Sequence, residues 1–166
     1  MKALYYFLTL AALMVLIAGC SSKTEQAETA DHHEEGHVHT LANGDLQETT
    51  SSIKDMPSFL EDKDDQMKAV YLAAAQHPDI LEFMPCYCGC GDSAGHKSNL
   101  NCFAAEITEE KIVWDDHGTR CAVCLEIAAE SILMKEDGHS LKEIRQHIDQ
   151  KYGEGYAKPT PTPMPA

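Results

Sequence analysis

The chain has 166 residues, 27 of them acidic and 13 Lys or Arg, for a formal net charge of −14. An acidic surface of this kind argues against nucleic acid and against an anionic membrane face as partners, and favours cations. Seven cysteines at this length narrow the classes further, to a disulfide framework, a thiolate metal site or thiol redox chemistry.

Met1 and Lys2 precede an apolar run from Ala3 to Ala18 that closes on Leu16-Ile17-Ala18-Gly19-Cys20. At about 16 residues the run falls short of the roughly 20 that span a bilayer, and small residues stand where a cleavage enzyme needs them. Residues 1–19 therefore read as a secretory signal peptide. The ending resembles the lipobox of bacterial lipoproteins. That resemblance implies that Cys20 becomes the first mature residue and carries the lipid. Two or more acyl chains, palmitate-like in length, would then hold the chain on the extracytoplasmic face of the cell membrane. The remaining 147 residues suit one domain, and their net charge is −15 once Lys2, the sole charge in the leader, is removed.

Residues 20–52 are polar and carry few large apolar side chains, so they read as a disordered, lipid-anchored tether. His32, His33, His37 and His39 crowd there among Asp31, Glu34 and Glu35, a composition that binds borderline metals weakly. The folded part is expected over 53–157. Ser58 and Glu61 match a capping box, and Met67, Val70, Tyr71 and Ala74 follow at helical spacing. His77-Pro78 should interrupt this helix, with a short turn or helix from Asp79 to Met84. Phe103, Ala105 and Ile107, then Ile112 and Trp114, alternate around a polar Thr108–Lys111 turn and suggest one short β-hairpin, with Trp114 in the core. A helix should start at Thr119 and run through Cys121, Cys124, Leu125, Ala128, Ile132 and Met134 to a stop before Gly138. Ser140 and Glu143 form a second capping box, ahead of Leu141, Ile144 and Ile148. The Pro-rich end, 158–166, reads as an extended, disordered tail. The expected fold is mainly α, a small helical domain with a cysteine-rich central loop.

That loop carries the chemistry. Pro85-Cys86-Tyr87-Cys88-Gly89-Cys90-Gly91 is followed by His96, Cys102, His117, Cys121 and Cys124. The hexapeptide resembles, without departure, the motif that names the PCYCGC family of bacterial, often lipid-anchored proteins, and the resemblance covers about 64–152. It identifies kin and implies no reaction.

The residues themselves leave three readings. With Cys20 lipidated, six cysteines remain. An even number outside the membrane favours a disulfide-stapled binding or interaction domain. Cysteines one residue apart, however, close only a strained ring, which disfavours pairing within Cys86-x-Cys88-x-Cys90. Cys86, Cys88, Cys90, His96, Cys102, His117, Cys121 and Cys124 together offer eight soft or borderline ligands for a metal site. Cys121 and Cys124 share a face at a helix start, where the dipole favours thiolates. The same pair resembles a thiol–disulfide oxidoreductase motif, although the βαβ pattern of a thioredoxin-like fold is missing. Ligand density favours the metal reading, with copper preferred over zinc, because closely spaced thiolates bridge Cu(I) while closed zinc sites use two well-spaced pairs. No phosphate loop, Ser-His-Asp signature or H-E-x-x-H is present, so the chain is not expected to be an enzyme except through its cysteines. The expected partners are the membrane, the metal ion and an extracytoplasmic metalloprotein or transporter.

Overall fold

The computed structural model describes residues 36–166. The expected signal peptide, the lipidation at Cys20 and the tether histidines His32 and His33 lie outside the described residues. Strands β1 (Val38–Thr40), β2 (Leu46–Thr50), β3 (Ala104–Ile107) and β4 (Ile112–Asp115) form one antiparallel sheet in the order β1-β2-β4-β3. Among the described residues five α-helices accompany it: α1 (Asp65–Gln76), α2 (Pro78–Leu81), α3 (Cys90–Ser93), α4 (Ala122–Glu136) and α5 (Leu141–Tyr152). No helix among the described residues is long and apolar enough to cross a membrane.

The expectation of a mainly α fold is corrected by this sheet: among the described residues 45% are helical, 3-10 turns included, and 12% lie in strands. The β3–β4 hairpin stands where alternation placed it, with Ile107 opposite Ile112 and a bulge between Ala104 and Glu106. The other half of the sheet comes from 38–50, inside the segment expected to be tether. Polar residues hide these strands from a hydrophobicity reading. Glu48, Thr49 and Thr50 are nonetheless buried, and the Glu48 carboxylate and the Thr50 hydroxyl find partners. Trp114 donates its indole N–H to Thr50 Oγ1 at 2.8 Å, and Gln47 donates to Asp115 Oδ2 at 2.9 Å.

Local signals set most helix ends. Ser140 caps α5 in a complete capping box with Glu143. Pro78 occupies the first turn of α2, where its missing N–H costs nothing. The first long helix starts later than expected, because Asp64 caps it by accepting from the Met67 N–H at 2.8 Å. Ser58 instead gives its hydroxyl to Glu48 of β2 at 2.7 Å, which ties the loop before α1 to the sheet. Likewise Thr119 lies within a 3-10 helix, Asp116–Arg120, and Cys121 is the N-cap of α4.

Helix α4 is central and packs against both α1 and α5. It buries Cys124, Ile127, Ala128, Ser131 and Ile132, the stripe expected of a helix with one core face. Tyr71 of α1, Phe103 and Trp114 form an aromatic knot beneath the sheet; the Tyr71 and Phe103 rings meet edge to face at 5.0 Å. Burying Ile144 and Ile148 of α5 contributes about 1.5–3 kcal/mol each.

The Pro-rich end is also part of the fold rather than a solvated tail. Thr160 is buried, its N–H donates to the Cys86 carbonyl at 3.1 Å, and its hydroxyl accepts from the Cys86 N–H at 2.9 Å. Ala157 N–H donates to the Tyr87 carbonyl at 3.0 Å. Arg145 of α5 pins the strap further on, donating to Thr162 Oγ1 at 2.8 Å and to the Pro163 carbonyl at 3.1 Å. Proline removes backbone donors from this segment, and the threonines between the prolines supply the groups that bond.

Candidate metal centre

Three separate pieces of chain deliver the cysteines, and a fourth delivers His117. The strap fixes Cys86 through both its backbone groups. Gly89, at φ 87°, takes a left-handed turn open to glycine at little cost, and this turn starts α3 at Cys90. Cys102 ends a 3-10 helix, Asn99–Cys102, closed by a Ser98–Asn101 capping box. Asn99 locks that helix onto α4 by donating its amide to the Cys124 carbonyl at 3.2 Å. His117 rides on the 3-10 helix that follows β4, which can seat closely only because residue 118 is glycine. A Cβ there would stand 2.8–2.9 Å from the Phe103 ring, the Cys102 carbonyl and the Tyr71 hydroxyl.

All eight residues named from the sequence come together. Sulfur–sulfur separations are 3.1 Å for Cys86–Cys88, 3.3 Å for Cys86–Cys124, 3.5 Å for Cys88–Cys124, 3.2 Å for Cys102–Cys124 and 3.9 Å for Cys90–Cys102. Cys121 joins Cys88 and Cys124 in a set whose ligand atoms lie within 4.8 Å of one another. His96 Nδ1 stands 3.5 Å from Cys102 Sγ, and His117 Nε2 stands 3.9 Å from Cys88 Sγ. The two imidazoles meet edge to face at 4.7 Å. Cys86, Cys90, Cys102 and Cys124 are sealed in the core, while Cys88 and Cys121 are half-buried. All six are free thiols. For comparison, two thiolates on one tetrahedral ion with bonds near 2.3 Å sit about 3.8 Å apart.

His37 and His39 are exposed in and beside the edge strand β1 and take no part. His77 caps α2, and Met84 is fully buried as packing.

The electrostatics depart from one expectation. The helix dipole at the start of α4 was expected to favour thiolates at Cys121 and Cys124. Instead the Cys124 thiol is pushed well up, above all by its contact with Cys102, and then by Cys121, Cys86 and Cys88. The negative charge settles on Cys88, held far below the usual thiol range by hydrogen bonds from Cys121, Cys124 and Cys86. That thiolate raises His117 to about 9, helped by Asp45 and opposed by burial. His96 is lowered to about 4 by burial and by the neighbouring His117 charge.

Beyond the candidate ligands lies a shell that the sequence reading missed. His117 Nδ1 is 3.1 Å from Asp45 Oδ2, which turns Nε2 toward the sulfurs, the carboxylate–histidine arrangement common behind metal ligands. Arg120 pairs with both Asp45 and Asp116, and Asp116 accepts the Leu46 N–H at 2.8 Å. Asp115 anchors the turn by accepting from the His117 N–H at 2.9 Å. The available signal for Asp45 was Asn43-Gly44 just before it, a hairpin marker between two stretches rich in β-branched residues.

The chain matches, over residues 9–165, the family described as proteins of unknown function with a PCYCGC motif. It belongs to that family. No curated protein and no solved structure matches it. The PCYCGC hexapeptide is thus the part of the site that marks the family, and it supplies three of the six clustered thiols; the cluster as a whole has the donor types and spacing to hold a metal ion.

Proposed function

We propose that this PCYCGC protein is a lipid-anchored extracytoplasmic lipoprotein that binds soft metal ions, Cu(I) in preference to zinc, and takes part in metal handling. The observation that carries the reading is the convergence of six cysteines and two histidines from four chain segments, with neighbouring sulfurs of five of the cysteines 3.1–3.9 Å apart and Cys121 within 4.8 Å of Cys88 and Cys124. Soft thiolates select Cu(I) and zinc over hard cations. Four sets of three Cys or His atoms lie close enough to share an ion. Three donors satisfy Cu(I), whereas a structural zinc site takes four. The extracytoplasmic placement rests on Leu16 to Cys20, and a metalloprotein or transporter at the membrane would receive or supply the ion.

The deciding experiment is a metal and free-thiol count by native and denaturing mass spectrometry on protein purified without reductant, followed by loading of the reduced protein. Bound copper, or stoichiometric uptake with a gain in thermal stability, is expected, because only the folded chain presents the ligands together. Three disulfides and no uptake after reduction would overturn the metal reading. For the anchor, Cys20→Ala should release the protein from the membrane fraction and lower its apparent mass; an unchanged membrane-bound species would overturn lipidation.

A further inference from the structure

Three of the close sets are Cys86–Cys88–Cys90, Cys86–Cys102–Cys124 and Cys88–Cys121–Cys124. Any two of them have a single cysteine in common. Cys86, Cys88 and Cys124 each serve two sets, and Cys90, Cys102 and Cys121 each serve one. The shared sulfurs also touch one another, forming a triangle with sides of 3.1, 3.3 and 3.5 Å. Each side of that triangle has one unshared sulfur outside it.

We propose that the six cysteines build a trinuclear Cu(I)–thiolate ring in which Cys86, Cys88 and Cys124 bridge and Cys90, Cys102 and Cys121 are terminal. This rests on the soft-metal reading above and adds the number of ions and the role of each sulfur.

Counting supports it. Three trigonal ions need nine thiolate bonds, and six sulfurs with three used twice supply nine. A single four-coordinate ion would leave two thiols of the cluster without a metal bond. Charge supports it as well. Three separate trigonal sites would carry −2 each, whereas six thiolates shared among three Cu(I) carry −3 together, a smaller burden for a buried site. Size is compatible: two thiolates on a trigonal ion with bonds near 2.3 Å lie about 4 Å apart, so each side of the triangle opens by under about 1 Å on loading. Cys90, His96 and His117 form a further set outside the ring, sharing only Cys90 with it. It gives a fourth ion a place beside the ring.

The test uses the full chain in detergent, reduced and handled without oxygen, titrated with Cu(I) against a competing chelator and weighed by native mass spectrometry. Saturation at three ions, or at four with the histidine position filled, is expected. Cys88→Ser and Cys121→Ser then separate bridging from terminal roles at two positions of similar, partial burial. Cys88→Ser should lose two ions and Cys121→Ser one. Should either variant fold poorly by circular dichroism, copper X-ray absorption of the wild-type protein decides, because a copper–copper scattering shell appears only when thiolates bridge. Saturation at one ion, equal losses in the two variants or the absence of that shell would overturn the ring while leaving metal binding intact. No uptake at all by the reduced protein would overturn the ring together with the reading beneath it.

Discussion

Replacing Thr160 by valine tests whether the C-terminal strap is structural. Valine keeps the β-branched shape and leaves the Thr160 N–H bond to the Cys86 carbonyl in place, but removes the hydroxyl that accepts the Cys86 N–H at 2.9 Å. Both residues are buried, so water cannot replace the lost acceptor. An orphaned buried donor costs about 1–3 kcal/mol. In a domain of this size that corresponds to a fall in Tm of roughly 3–12 °C. Urea unfolding and calorimetry of reduced, metal-free protein would measure it. Thr162→Val is the control: it removes one acceptor of Arg145, whose guanidinium still reaches the Phe83 carbonyl at 3.0 Å and the Pro163 carbonyl at 3.1 Å. Its cost should stay below about 1 kcal/mol. A Thr160→Val protein within about 0.5 kcal/mol of wild type, or equal losses for both variants, would refute the strap's role.

Gly118→Ala should destabilise by about 1–3 kcal/mol in the same unfolding assay, since the new Cβ would press on the Phe103 ring and the Cys102 carbonyl. Asp45→Ala should weaken metal affinity about 10–100-fold by freeing the His117 ring, as measured by competition with a chelator. Proton NMR of reduced, metal-free protein should show His117 titrating near 9 and His96 near 4, with His117 falling toward its ordinary value in Cys88→Ser. The two histidines pull stability in opposite directions. The raised value of His117 gives a contribution complete below its unfolded value of 6.5 and lost as pH rises through about 9. The depressed value of His96 gives one complete above 6.5 and lost as pH falls toward 4.

The candidate ligands were legible because thiols and imidazoles are rare and their chemistry is intrinsic to the side chain. Cys86, Cys88, Cys90, His96, Cys102, His117, Cys121 and Cys124 could be named without knowing the path of the chain between them. The elements with local signals were legible too: the Ser140–Glu143 box, the break at His77-Pro78 and the alternation that makes β3 and β4. What escaped was whatever depends on a distant partner. Strand β2 buries Glu48, Thr49 and Thr50, residues that look solvated until Trp114 and Ser58 are brought against them. Ser58 satisfies the local pattern of a helix cap, yet the Glu48 carboxylate competes for it successfully and leaves the capping to Asp64. The prolines of 158–166 mark a segment that joins neither helix nor sheet, but composition alone does not reveal that Thr160 docks on Cys86. The charge distribution was misread for the same reason: the helix start at Cys121 is a local feature, while the hydrogen bonds that place the thiolate on Cys88 join that helix start to the distant loop of Cys86.

For a bound ion, the gradient of burial across the cluster would separate how tightly it is held from how quickly it can be passed on. Cys86, Cys90, Cys102 and Cys124 face no solvent, whereas Cys88 and Cys121 form a rim. Escape into water would require breaking buried bonds with nothing to take their place, so spontaneous loss would be slow. A visiting molecule with its own thiol or imidazole meets the rim first and can take over one bond at a time, with no intermediate in which the ion is bare. Exchange would then depend on who arrives at Cys88 and Cys121 rather than on the equilibrium constant, and two acceptors of equal affinity could drain the same store at very different rates.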